Sequence, residues 1–230
     1  ESTTDAFGGG LAVNNTPGTG DVEILDSAFL DNVTTTTSTN DSTAGGGGWV
    51  QADNITVRNT VASRNSADFG GGIYLGAKNR LDVTGLTVTD NYASWYTGGA
   101  AMGGAQVTVA NSVITGNTSD YVIGGAYFGT YNNSGTATMS ITNTTISNNT
   151  ADELGGAAIF SPGQAAGTTM DRITVTGNHG DQIGGLSVMG SATLSSSTIA
   201  DNVGAGVNFG YDLGPVSLAP GSGREWPAGA

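Results

Sequence analysis

Seven times along the chain an apolar residue precedes an asparagine by three positions: Phe29/Asn32, Ala62/Asn65, Val88/Asn91, Ile114/Asn117, Ile146/Asn149, Val175/Asn178 and Ile199/Asn202. Ten and eight residues before each asparagine lie further pairs, mostly apolar: Val22/Ile24, Ile55/Val57, Leu81/Val83, Val107/Val109, Met139/Ile141, Thr168/Met170 and Ala192/Leu194. Six residues before it stand Asp26, Asn59, Gly85, Asn111, Asn143, Arg172 and Ser196, mostly turn formers. Alternation of period two, a corner, then alternation again predicts two short strands meeting at a bend. A second mark is a glycine pair before an apolar strand, at Gly9-Gly10, Gly47-Gly48, Gly71-Gly72, Gly98-Gly99, Gly124-Gly125, Gly155-Gly156 and Gly184-Gly185, with Ala205-Gly206 as a degenerate copy. In five central copies the asparagine and the next glycine pair are six or seven residues apart.

A repeat of this length is one supersecondary unit that stacks on its neighbours. The pattern predicts an all-β solenoid of about eight coils over residues 1–213, three short strands per coil. Residues 214–230, with Leu213 before them and Val216, Leu218 and Trp226 within, form a tail that docks on the solenoid or on a neighbouring subunit. Coil length varies mainly between the glycine-led strand and the next coil's first strand, where a corner absorbs insertions that a stacked strand cannot. The Thr-rich stretch at 33–44 is the exception. Strands of adjacent coils stand ~4.8 Å apart, so the seven asparagines are expected to form a ladder of bonded amides. The glycines are expected to permit close approach or positive φ.

Composition agrees. The chain is rich in Thr, Val, Ile, Ser, Asn and Gly, with 39 glycines, one lysine and four glutamates, which is a vocabulary of strands and turns rather than long helices. With 19 acidic and six basic residues the formal charge is −13. Nucleic acids and anionic membrane surfaces require a basic patch, so neither is an expected partner. An acidic surface suits solubility, a salty medium or cation binding. No cysteine is present, which excludes disulfides and thiolate metal sites. No apolar run approaches the ~20 residues of a membrane span, so no membrane insertion is expected. The start at Glu1, without Met, suggests a processed or excised piece.

The alternation of GGA[I/L/V]-like and FxxN-like motifs, seen in Gly155-Gly156-Ala157-Ala158-Ile159 and Phe29-Leu30-Asp31-Asn32, resembles the repeats of polymorphic outer-membrane proteins and other autotransporter-type passengers. Most copies replace Phe by Val, Ile or Ala, so the chain is as similar to the wider right-handed, pectate-lyase-like β-helix superfamily. The resemblance covers residue 7 to about residue 210. It implies a right-handed parallel β-helix and a surface-exposed or secreted, structural or adhesive protein. Unlike a complete autotransporter, the sequence shows no translocator barrel.

That superfamily also holds polysaccharide lyases and hydrolases, which need carboxylates and a base. Arg58 and Arg80 with Asp82 are the one constellation of that kind, and scattered salt bridges explain it better. His179 follows an asparagine corner and reads as an exposed turn residue. The loops at 129–138 and 160–167 contain no acid, base or histidine, and Gly45 to Gly48 matches no phosphate-binding loop. Three residues after the asparagine come Asp68, Ser94, Asp120, Asp152 and Asp181. Asp120, Asp152 and Asp181, on consecutive coils, are a candidate calcium ladder, the only cofactor expected; the alternative is aspartates capping solvated turns. One residue further, Phe69, Trp95 and Tyr121 are a candidate aromatic platform for a glycan or another subunit, which Tyr92, Tyr96, Tyr127 and Tyr131 can extend. Ser63, Thr89, Thr115, Ser147 and Thr176 form an outward hydroxyl row, ordinary in β-helices. The favoured function is a non-catalytic extracellular or cell-surface structural protein, a self-assembling filament subunit or an adhesive stalk, with itself, end to end, or surface glycans as partners. A carbohydrate-binding or carbohydrate-cleaving β-helix is the alternative.

Overall fold

The chain's two recurring marks turn out to be one packing unit. In the computed structural model, which describes residues 6–15, 20–35, 43–130, 137–161, 167–209 and 216–218, every strand pairing is parallel and joins neighbouring coils. A fourth coil shows the order: glycine-led strand Ala100–Gly104, first strand Gln106–Ala110, corner strand Val113–Thr115, then Asn117 and the two-residue strand Thr118–Ser119. Three strands per coil were expected; the extra short one follows the asparagine. There the Thr118 N–H donates to the Asn91 carbonyl at 2.9 Å, so ladder pairing continues through the corner. In two earlier coils the glycine-led and first strands merge, as Gly48–Arg58 and Ile73–Thr84.

About eight coils were expected. The described stack is shorter: seven corner strands pair in one sheet, from Ala28–Leu30 to Thr198–Ala200, and the inner five have a neighbour on both sides. Val216–Leu218 lies beyond the expected boundary at residue 213 and pairs with Ala192–Leu194; the rest of the tail lies outside the described residues.

The corners follow from backbone conformation. All seven residues at the position six before the asparagine are left-handed, with φ from 46° at Asn143 to 69° at Gly85. So are all seven immediately before the asparagine: Asp31, Arg64, Asp90, Gly116, Asn148, Gly177 and Asp201. Asn, Asp and Gly tolerate this region best, which explains their excess at both positions. Beside the first corner, Thr60, Ser112 and Thr144 fold their hydroxyls back onto the carbonyl two residues earlier, each at 2.9 Å. These buried hydroxyls are thereby satisfied.

Inside, Val88, Ile114, Ile146, Val175 and Ile199 stack as one buried row in the expected register. The asparagine ladder is equally regular. Asn117 Oδ1 accepts the backbone N–H and the Nδ2 of Asn91, at 3.0 and 2.9 Å. Asn117 Nδ2 donates back to the Val88 carbonyl at 3.1 Å and forward to Asn149 Oδ1 at 2.9 Å. The same pattern links Asn65, Asn91, Asn149, Asn178 and Asn202. The glycine pairs make room for it. A Cβ at Gly125 would sit 2.3 Å from the Gly156 carbonyl oxygen and 2.9 Å from Asn149 Nδ2, and Gly47, Gly72 and Gly99 are equally confined. In the second coil the pair is Gly46-Gly47 rather than the expected Gly47-Gly48, because Gly48 aligns with Leu11 and Ile73; the second glycine of each pair serves close approach, and the asparagine needs it.

Candidate functional site

Two outward rows flank the glycine pairs. Two positions before the pair stand Phe69, Tyr96, Val122, Glu153 and Gln182, and two positions after it Trp49, Tyr74, Ala101, Tyr127, Ala158 and Ser187. Rings occupy most places in both rows of the early coils, with Ala101 between Tyr74 and Tyr127. Trp49 stacks on Tyr74 at 6.0 Å, Phe69 on Tyr96 at 5.6 Å, and Tyr96 meets Tyr127 edge-on at 6.0 Å. Beyond Tyr127 the rings give way to Ala158 and Ser187, and Phe160 and Met189 stand on the far side. The space left is an open groove of about 410 Å³ over Ile123, Leu154 and Ile183, bordered by Tyr96, Tyr127, Glu153 and Gln182. Its volume suits a small ligand or a few side chains.

Burial, followed by the proximity of Tyr96 and Tyr74, pushes the Tyr127 phenol up to about 12. Burial and then the charge of Glu153 raise Tyr96. Both phenols are therefore neutral at physiological pH. Among the described residues the side chains of Tyr96, Tyr127, Glu153, Gln182 and Ser187 take no hydrogen bond from another residue, and Glu153 has no ion pair. This groove escaped the sequence reading, although Tyr96 and Tyr127 were named as extensions of the platform.

The expected platform of Phe69, Trp95 and Tyr121 is not one row. Two coils carry an extra residue between asparagine and glycine pair, and there the Asp68 carbonyl accepts both the Trp95 and Tyr96 N–H groups, at 3.3 and 3.0 Å. Tyr96 therefore takes the place over Phe69, while Trp95 bulges out, half exposed, with its edge on Phe69 at 4.7 Å. Tyr121 is exposed and makes no ring contact among the described residues. Tyr131 lies outside them.

The aspartates are not gathered either. Asp120 accepts the Tyr92 hydroxyl at 2.5 Å, which is the main reason the Tyr92 phenol rises to about 12. Asp152 is exposed, and Asp181 faces His179 at 3.8 Å. Among the described residues no three His, Cys, Asp or Glu side chains stand close enough to hold a metal ion. Asp68, earlier in the same line, is a coil-to-coil tie: it accepts the Thr43 N–H at 2.9 Å and the Ser94 hydroxyl. In the hydroxyl row, Thr89 and Ser63 bond at 3.0 Å, as do Ser147 and Thr115. Arg80 pairs with Asp82 at 2.7 Å on the surface, and Arg58 aligns with Thr84. His179 is half exposed as expected, but it opens the strand His179–Met189 and pairs with Thr150 rather than lying in a turn.

Parallel coils, a buried asparagine ladder and an outward groove define a β-solenoid. A family model described as right handed beta helix region matches residues 18–212, and the chain belongs to that family. No curated protein and no solved structure matches it. Among the described residues no helix is long and apolar enough to cross a membrane.

Proposed function

We propose that the chain is a non-catalytic extracellular scaffold, a rigid stalk that presents the aromatic groove as an adhesive surface. The carrying observation is the contrast between stack and groove. Along the stack, the buried asparagine side chains bond to the next coil; at the groove, a cluster of polar groups and ring edges is left for something else. Chemistry on acidic sugars needs a base beside carboxylates. The groove has one carboxylate, Glu153, and no basic residue, while Arg64, Arg80 and Arg172 are each paired with an aspartate elsewhere. Purified protein incubated with pectin and with alginate should release no unsaturated oligosaccharides; release of such products overturns the proposal. Fractionation of the source cells should find the chain at the surface or in the medium, and retention inside the cell contradicts it.

End-to-end self-association is favoured by a separate observation. The ladder has a direction: Asn32 Oδ1 accepts no hydrogen bond among the described residues, and the Asn202 backbone N–H donates none. An acceptor at one end and a donor at the other fit a head-to-tail contact, which repeats without closing. Light scattering that gives a monomer at all concentrations would exclude this second function.

A further inference from the structure

The groove's chemistry narrows its partner, on the premise that it is the adhesive surface proposed above. We propose that it docks an extended, lysine- or arginine-bearing segment of a partner protein, whose cation sits against the rings of Tyr96 and Tyr127 and pairs with the Glu153 carboxylate.

Three observations carry this. First, Glu153 is half buried, has no ion pair among the described residues, and stands beside two aromatic rings that meet at 6.0 Å. A cation over such rings is attracted by their quadrupoles, and a nearby carboxylate adds a charge-assisted bond. Second, the border carries only negative charge. Asp152 and Asp181 immediately precede Glu153 and Gln182, and the chain as a whole is at −13. Arg64, Arg80, Arg172 and Lys78 all lie outside the groove, each within 4.0 Å of an aspartate. The field at the groove therefore draws cations in and repels acidic ligands. Third, the outward row of Tyr127, Ala158 and Ser187 spans three coils, roughly 10 Å, which is the length of about three extended residues. The apolar floor of Ile123, Leu154 and Ile183 matches the methylene stems of Lys or Arg, which pack on apolar surface while the head stays polar.

The test is calorimetric titration of the purified chain with an N-acetylated tetralysine amide. The control peptide is the same chain with every lysine acetylated, which keeps the stems and removes the charge. The wild-type protein should bind the first and not the second. Glu153→Gln and Tyr127→Ala should each weaken binding about tenfold, while Tyr127→Phe, which keeps the ring, retains it. Asp201→Asn removes the same charge as Glu153→Gln at an exposed corner away from the groove, so it should leave affinity within about twofold. Far-ultraviolet circular dichroism confirms that each variant is folded, and Tyr127→Phe keeps the test valid if Tyr127→Ala is not. Equal losses in Glu153→Gln and Asp201→Asn would reduce the effect to general charge attraction and overturn the proposal. So would failure to bind tetralysine at millimolar concentration, or preference for a neutral oligosaccharide such as cellotetraose. A chain that ignores tetralysine but cleaves no polysaccharide loses only this proposal; one that cleaves pectin or alginate loses the scaffold function itself.

Discussion

Replacing Asn117 by alanine removes the centre of the ladder, and its cost can be worked from the hydrogen bonds. The Asn117 amide oxygen holds two donors, the backbone N–H and the Nδ2 of Asn91, in a site where both asparagines are buried. After Asn117→Ala those two donors have no acceptor, because the other Nδ2 hydrogen of Asn91 is already committed to the Ala62 carbonyl at 2.9 Å. Each buried donor left unsatisfied costs about 1–3 kcal/mol, so the variant should lose roughly 2–6 kcal/mol, a large part of a typical domain's stability. Asn32→Ala is the internal comparison. The Asn32 amide oxygen accepts nothing among the described residues, and its Nδ2 makes one bond, to Asn65 Oδ1 at 2.9 Å. That acceptor keeps the Asn32 backbone N–H, so the loss should be about 1 kcal/mol. Urea unfolding followed by circular dichroism measures both, provided the slope is unchanged. Equal losses in the two variants would refute the ladder as the source of cohesion. Water entering the Asn117→Ala cavity to satisfy both donors would show itself in that way.

Three further outcomes follow from single sites. The Thr168 hydroxyl is buried, with no partner among the described residues, in the inner row between Met139 and Ala192, so Thr168→Val should stabilise by about 1 kcal/mol in thermal melts. Tyr92 and Tyr127 ionise only near pH 12 when folded, above the ordinary phenol near 10; the raised value favours the protonated fold, so stability is full below about pH 10 and declines as pH rises toward 12. Absorbance titration at alkaline pH checks this, and Asp120→Asn should bring the Tyr92 transition down. Because Asp120, Asp152 and Asp181 are not gathered, millimolar Ca²⁺ should leave the melting temperature where a chelator leaves it, and a rise of several degrees would restore the calcium ladder.

The inner rows and the asparagine ladder were legible because stacked coils repeat the same residue at the same place. All seven asparagines are joined by side-chain bonds that any register shift would break, and the spacing from apolar residue to asparagine is constant. The corner at the asparagine was expected, but not that the residue just before it is the left-handed one. Its signal lies in Asp31, Asp90, Gly116, Asn148, Gly177 and Asp201, all tolerant of left-handed backbone, but Arg64 interrupts it. The groove was missed for a different reason. Counting from the asparagine aligns Phe69 with Trp95 and Tyr121, whereas close packing of the glycine pairs resets the register after each bulge. Counted back from the glycines, Phe69, Tyr96, Val122, Glu153 and Gln182 fall in one row. The depth left by Ala158 and Ser187 depends on which rings neighbour them in three dimensions, and no one-dimensional spacing carries that.

Hydrogen exchange of the ladder amides tests the central claim, that one continuous asparagine-bonded stack supports the groove. The backbone N–H groups of Asn65, Asn91, Asn117, Asn149 and Asn178 each donate to the next coil's Oδ1 at 2.9 to 3.0 Å and are buried. They should exchange together, and as slowly as the core amides of Val88 and Ile114, in a single global opening. Exchange of any one of these five on the timescale of exposed residues, while Val88 stays protected, would contradict the ladder at that coil.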